Sequence, residues 1–321
     1  MKSINLGNSG LEASAVALGC MRIAELGTSE LAQLIDACLE AGIDFFDHAD
    51  IYGGGRCEER FGEYLHTHPG VRDRILIQSK CGIRPGFFDF SLPHILHSVD
   101  QSLTRLQTDH LDVLLLHRPD TLMEPEEVAE AFTHLHQSGK VRHFGVSNQN
   151  PSQMALLQKY VPFKLIADQL QFGPAHTPLV DSGLNVNIKS PLGTMYDGGV
   201  LEYCRLNEIT IQTWSPFLFG FFEGVFLTSE RYTELTRTLG RIGERYRLSP
   251  GAAAVAWVAR HPAKIQTIIG STKPQRVREN ARGADVELTR EEWYEIYRSA
   301  GNRLPESGNS IPIPRKSFEI H

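Results

Sequence analysis

No G-x-G-x-x-G stretch occurs in this chain, which argues against a dinucleotide-binding Rossmann unit. No apolar run is long enough to span a bilayer. The start, Met1-Lys2-Ser3-Ile4-Asn5, lacks the charged opening and apolar core of a signal peptide. Charge of one sign is not gathered anywhere: 32 Lys and Arg mix with 38 Asp and Glu, for a net charge of −6. Without a basic stripe there is no sign of a nucleic-acid partner. Without a polybasic or lipidation signal there is none of a membrane partner. The five cysteines, Cys20, Cys38, Cys57, Cys81 and Cys204, are odd in number and form no C-x-x-C pair. They read as reduced thiols of a cytoplasmic protein, and none is assigned a role.

What the chain does contain is a repeated strand-then-helix pattern. Gly7-Asn8-Ser9-Gly10 sits between two short alternating stretches and predicts an N-terminal hairpin. Ala15–Met21 is the first of eight apolar runs. The others are Ile43–Asp47, Arg74–Lys80, Leu111–His117, Val141–Ser147, Leu165–Leu170, Thr210–Trp214 and Ile265–Gly270. Helices are expected between them at Ser29–Glu40, Cys57–Thr67, Leu92–Leu106, Glu126–Ser138, Ser152–Lys159, Asp197–Asn207 and Pro274–Arg282. Two more, Tyr232–Tyr246 and Pro250–Ala259, precede the last strand, with Ser249 capping the second. The pattern predicts an α/β fold, a (β/α)8 TIM barrel with an N-terminal β-hairpin and an extra C-terminal helix near Arg290–Ser299. One domain is expected over 1–321, with an irregular tail from about 302.

Barrel enzymes carry their chemistry at the carboxyl ends of strands. Here those ends hold Asp47 with Tyr52 just after it, Lys80, His117, Ser147-Asn148, Gln169, Trp214-Ser215 and Gly270-Ser271-Thr272. Asp, Tyr, Lys and His on consecutive strands suit carbonyl reduction. A carbonyl that receives hydride needs a proton, and tyrosine can give one. Its reference pKa near 10 is high for that task. A lysine at about 4 Å favours the phenolate by roughly 4 kcal/mol at an effective dielectric near 20. Asp47 can hold Lys80 protonated, and His117 can orient the carbonyl oxygen.

These residues also carry a resemblance. Asp44-Phe45-Phe46-Asp47-His48-Ala49-Asp50-Ile51-Tyr52-Gly53 resembles the aldo-keto reductase signature. The resemblance continues through Ile77–Lys80, Leu114–Arg118, Gly139–Asn148 and Ile268–Pro274 to Arg276–Asn280. It implies a catalytic set of Asp47, Tyr52, Lys80 and His117. It implies NADPH as cofactor: Ser147, Asn148 and Gln169 on the nicotinamide amide, Trp214 stacked on its ring, and Ser215, Phe217 and Leu218 along the pyrophosphate. Ser271, Thr272 and Arg276 would hold the 2′-phosphate, with Glu279 and Asn280 at the adenine. Gly270 stands where many members have a basic residue, and Lys273 is a partial replacement. Met21 and Arg22, and Arg118-Pro119-Asp120, are expected at the mouth. The aromatic loop 217–226 suggests hydrophobic aldehydes or dicarbonyls as substrates.

Two other classes compete. A strand-end lysine could form a Schiff base in a barrel lyase, but that leaves Trp214 and Arg276 without work. An NADPH-binding redox-sensing subunit with little turnover would keep the same site. A glycosidase lacks its second carboxylate, and a metal hydrolase its ligand cluster, on these strand ends. His134 and His136 are expected on an outer helix. His48 is expected to pack behind the barrel.

Overall fold

The computed structural model describes residues 1–305. Eight strands close into a parallel barrel in strict chain order. They are β1 (Val16–Gly19), β2 (Phe45–Asp47), β3 (Leu76–Cys81), β4 (Leu111–Leu116), β5 (Val141–Ser147), β6 (Leu165–Gln171), β7 (Thr210–Trp214) and β8 (Gln266–Ile269). Closure comes from β8 against β1, with Thr267 opposite Val16 and Ile269 opposite Leu18. The (β/α)8 barrel expected from the apolar runs is the fold observed, and all eight runs are strands.

Most outer helices are amphipathic and bury one stripe, whereas Pro250–Ala259 is apolar and buried almost all round. In α1 (Thr28–Glu40) that stripe is Leu31, Leu34, Ile35 and Cys38, at helical spacing. The others are α2 (Arg56–Thr67), α3 (Leu92–Leu106), α4 (Pro125–Gln137), α5 (Pro151–Tyr160), α6 (Pro178–Leu184), α7 (Val200–Leu206), α8 (Thr233–Tyr246), α9 (Pro250–Ala259), α10 (Pro274–Ala281) and α11 (Arg290–Ser299). Ser249 caps α9 by accepting from the Ala252 amide, as its sequence predicts. The predicted N-terminal hairpin pairs Ser3–Leu6 with Leu11–Ser14. Its turn closes the amino end of the barrel, where the Gly7 amide donates to Thr210 Oγ1 at 2.8 Å. His48 is fully buried with its ring on Phe61 of α2, outside the barrel as expected.

Three features differ from the sequence reading. The helix expected over Asp197–Asn207 begins at Val200, because Gly198 and Gly199 hold left-handed φ values of 72° and 81°. Residue Tyr232 belongs to a short 3-10 turn, so α8 starts one residue later. The short α6 and two hairpins, Ile83–Arg84 with Phe87–Phe88 and Leu218–Phe219 with Gly224–Val225, were not anticipated. Of the expected irregular tail, residues 302–305 have no regular structure and the remainder lies outside the described residues.

One irregularity sets up the site. Between Leu165 and Asp168 the pairing of β6 with β5 slips by a residue. At that slip Gly145 lets the two backbones close up: a Cβ there would sit 2.6 Å from the Ala167 carbonyl oxygen. The extra residue puts Gln169 opposite Ser147 and turns its side chain into the barrel.

Candidate active site

The carboxyl ends of the strands surround a cleft of about 800 Å³. Asp47, Tyr52 and His117 line it near the barrel axis, and Lys80 lies buried directly behind Tyr52. Alternation along β3 explains the placement. Gln78 and Lys80 point into the barrel, while Ser79 between them points out and donates to Glu58 of α2 at 2.6 Å.

Lys80 Nζ has three protons and three kinds of acceptor. It lies 2.8 Å from each Asp47 carboxylate oxygen. It donates to the His48 carbonyl at 2.8 Å and to Tyr52 Oη at 3.2 Å. An ammonium cannot accept, so Tyr52 is the acceptor of that bond and its own hydroxyl proton is free. Burial pushes the Lys80 ammonium down, yet Asp47 and Tyr52 together outweigh it and hold its pKa above the usual lysine value.

The tyrosine differs in one respect from the expectation. Burial raises the Tyr52 phenol, and Lys80 pulls it back only in part, so its pKa lies above the ordinary value rather than below it. His117 meets the Tyr52 ring edge-on, with centroids 5.9 Å apart. Burial, then Lys80 and Arg118, push the imidazole pKa well below its usual value, so the ring is neutral at pH 7. Its Nδ1 is buried with no hydrogen-bond partner among the described residues.

A ladder of amides supports Asp47 from below. Gln78 and Gln169 both donate to Asp47 Oδ1, at 2.6 and 3.0 Å. Both also donate to Gln212 Oε1, at 2.9 and 3.2 Å. Gln212 in turn donates to Gln266 at 2.8 Å, and Gln266 to the Ser14 carbonyl at 2.8 Å. The sequence reading named only Gln169 of this set. Because the Gln169 amide hydrogens face the ladder, its side-chain carbonyl is the group left for a ligand.

Further along the cleft, Ser147 Oγ donates to the Gln169 carbonyl at 2.9 Å, and Asn148 Nδ2 donates to Ser147 Oγ at 2.7 Å. Trp214 Nε1 donates to Asn148 Oδ1 at 3.2 Å, which ties the ends of β5 and β7. Asn148 and Ser215 both hold positive φ, 58° and 50°, a region that non-glycine residues adopt rarely. The loop after β7 curls back as an aromatic hairpin. Phe222 stacks near Trp214 at 5.7 Å, and Phe221 meets it edge-on at 6.4 Å.

The far end is built by β8, α9 and α10. Gly270, Ser271, Arg276, Glu279 and Asn280 line it, and the expected Met21, Phe217 and Leu218 also line the cleft. Thr272 is not on the cleft lining. A Cβ on Gly270 would meet nothing within 4 Å. Ser249, Pro250 and Gly251, at the start of α9, also line the cleft. The sequence reading took them only as a helix cap. Arg276 is exposed and has no ion pair among the described residues, whereas its neighbour Arg278 is bound to Glu40 at 2.6 Å. His134 and His136 are exposed on α4, away from the cleft. The five cysteines are buried free thiols. No helix among the described residues is long and apolar enough to cross a membrane.

Residues 15–300 match the Aldo/keto reductase family. The chain is 38% identical over 313 residues to Oxidoreductase YdhF of Escherichia coli K12, covering 94% of this chain and 98% of that one. It is 35% identical over 300 residues to 6-dehydroglucose reductase of Agrobacterium fabrum C58, covering 89% and 94%. The fold superposes with a TM-score of 0.74 on a thermostable aldo-keto reductase, Tm1743, solved with the inhibitor epalrestat, at 24% identity, covering 93% of this chain and all of that one. A match across nearly the whole barrel, with relatives this similar over most of both chains, makes this chain a member of the aldo/keto reductase family of oxidoreductases.

Proposed function

We propose that this protein reduces aldehydes or ketones to alcohols with hydride from NADPH, and that Tyr52 gives the proton. The observation that carries the reading is the 3.2 Å contact of Lys80 with Tyr52, in a cleft that His117 also lines. The bound reduced nicotinamide would supply the hydride.

The chain's own residues do the remaining work. Tyr52 presents its free hydroxyl proton to the carbonyl oxygen as negative charge develops there. The phenolate left behind sits beside a buried, fully hydrogen-bonded ammonium, which stabilises it where water does not compete. Asp47 keeps that ammonium charged against the desolvation of its site. His117, neutral at pH 7, offers one N–H to orient the carbonyl without competing as an acid.

The far end of the cleft suits a dinucleotide. Ser147, Asn148 and the Gln169 carbonyl supply donors and acceptors for the nicotinamide amide, with the Trp214 ring beside them. The start of α9 lines the cleft, where a helix N-terminus would favour phosphate oxygens. Open space at Gly270, together with Ser271 and the unpaired Arg276, suits a 2′-phosphate. Glu279 and Asn280 on the same lining complete the assignment; Thr272 and Lys273, expected there from the sequence, are not on it. The aromatic hairpin around Phe221 and Phe222 favours apolar carbonyls.

The test is loss of NADPH absorbance with a panel of aromatic aldehydes and dicarbonyls, NADH being run in parallel. Oxidation that requires both protein and carbonyl, faster with NADPH, is expected. NADPH binding without turnover of any carbonyl would move the assignment to a redox-sensing role.

A further inference from the structure

Arg118 follows His117 at the end of β4 and lines the cleft beside Tyr52 and His117. Its side chain is about half buried, and no ion pair or hydrogen bond satisfies it among the described residues. The nearest carboxylate in sequence is committed elsewhere. Asp120 accepts from the Phe90 amide at 3.0 Å and from the Leu122 amide at 2.9 Å. The guanidinium lies instead beside two aromatic rings, 5.7 Å from the Trp214 centroid and 5.6 Å from the Phe221 centroid. Contacts of this kind are not hydrogen bonds, and they leave the five N–H donors without acceptors.

The surrounding charges sharpen the point. Lys80 is neutralised by Asp47. Arg22, just after β1, also lines the cleft, is exposed and likewise has no acidic partner among the described residues. With Lys80 neutralised, the unpaired Arg118 leaves the carbonyl end of the cleft with unbalanced positive charge. Arg118 follows β4, across the barrel from β8, where Ser271 and Arg276 would take the 2′-phosphate, so that phosphate does not account for it. Burial lowers the Arg118 pKa, the signature of a cation whose lost hydration nothing replaces. Hydroxyl groups could meet its donors but would leave its charge unbalanced. A carboxylate meets both, two oxygens to two N–H groups.

We propose that Arg118 receives a carboxylate of the substrate, so that the preferred carbonyls bear an acid group on an aryl or apolar stem. This deepens, and rests on, the reading of the cleft as a carbonyl-reducing site.

The experiment pairs 3- and 4-carboxybenzaldehyde with the matching formylbenzamides, which have the same shape and no charge. Two quantities are read: kcat/KM with NADPH, and the dissociation constant by calorimetry with NADP+, where no reduction can occur. The acids are expected to be favoured about 10- to 100-fold in both. In Arg118→Met the acid-to-amide ratio should fall toward one, and in Arg118→Lys it should be partly kept. A ratio near one in the unaltered protein overturns the proposal. So does a high ratio that survives in Arg118→Met, which would place the anion on another cation such as Arg22. If no aldehyde is turned over, the reductase reading fails, and the binding ratio still decides the carboxylate site by the same criteria.

Discussion

Gln78 Nε2 donates to Asp47 Oδ1 at 2.6 Å, inside a barrel where both residues are buried. The pair shows what the floor of the site is for. A buried carboxylate needs donors on every oxygen, and Asp47 takes them from Lys80, Gln78 and Gln169. Asp47 in turn holds the Lys80 proton against full burial.

Asp47→Asn should therefore lower the pKa of Lys80, since burial is the largest influence on it and would then act with little opposition. The high-pH limb of kcat/KM should move to lower pH, with the rate at pH 7 reduced on the order of 10²-fold. Gln78→Met should move it the same way by less and lower stability by about 1–3 kcal/mol. A pH profile unchanged in Asp47→Asn would show that Lys80 does not depend on that carboxylate.

Arg276→Ala should weaken NADPH binding about 10- to 100-fold and leave NADH nearly unaffected. Fluorescence titration with each nucleotide checks this. Equal losses for both would mean that Arg276 does not reach the 2′-phosphate.

Asp50, two residues before Tyr52, gives a stability prediction. Burial, and then Glu58, raise its carboxyl to about 7 in the folded state. The folded chain therefore holds this proton more tightly than the unfolded chain between about pH 4 and pH 7. Stability contributed at this site is present below the unfolded pKa and is lost as pH rises toward 7. Asp50→Asn removes the loss. The variant should gain little over the parent at pH 4 and on the order of 1–3 kcal/mol at pH 8. Melting curves of both proteins across that range test it. A difference independent of pH would contradict the assignment.

Most of the barrel was legible because each strand is a short apolar run closed by turn residues, and a polar residue ending such a run has few reasons to be there. That is why Asp47, Lys80 and His117 could be read directly. The amide ladder was not legible. Gln78, Gln212 and Gln266 stand at inward positions where alternation predicts apolar side chains, and only closure of the barrel shows that they satisfy one another. Ser249–Gly251 read as a helix cap, because the direction in which α9 opens is set by packing and not by its sequence. The free state of Arg118 depends on where Asp120 spends its two oxygens, which no spacing rule states.

The central claim is that Tyr52 supplies the proton, and Tyr52→Phe tests it most directly. The hydroxyl is removed while the ring against His117 is kept. With the best aldehyde found, single-turnover reduction should slow about 10²- to 10⁴-fold, while the NADPH dissociation constant, read by fluorescence, stays within about twofold of the parent value. Reduction at near-parental rate, or a collapse of NADPH binding in its place, would contradict the account.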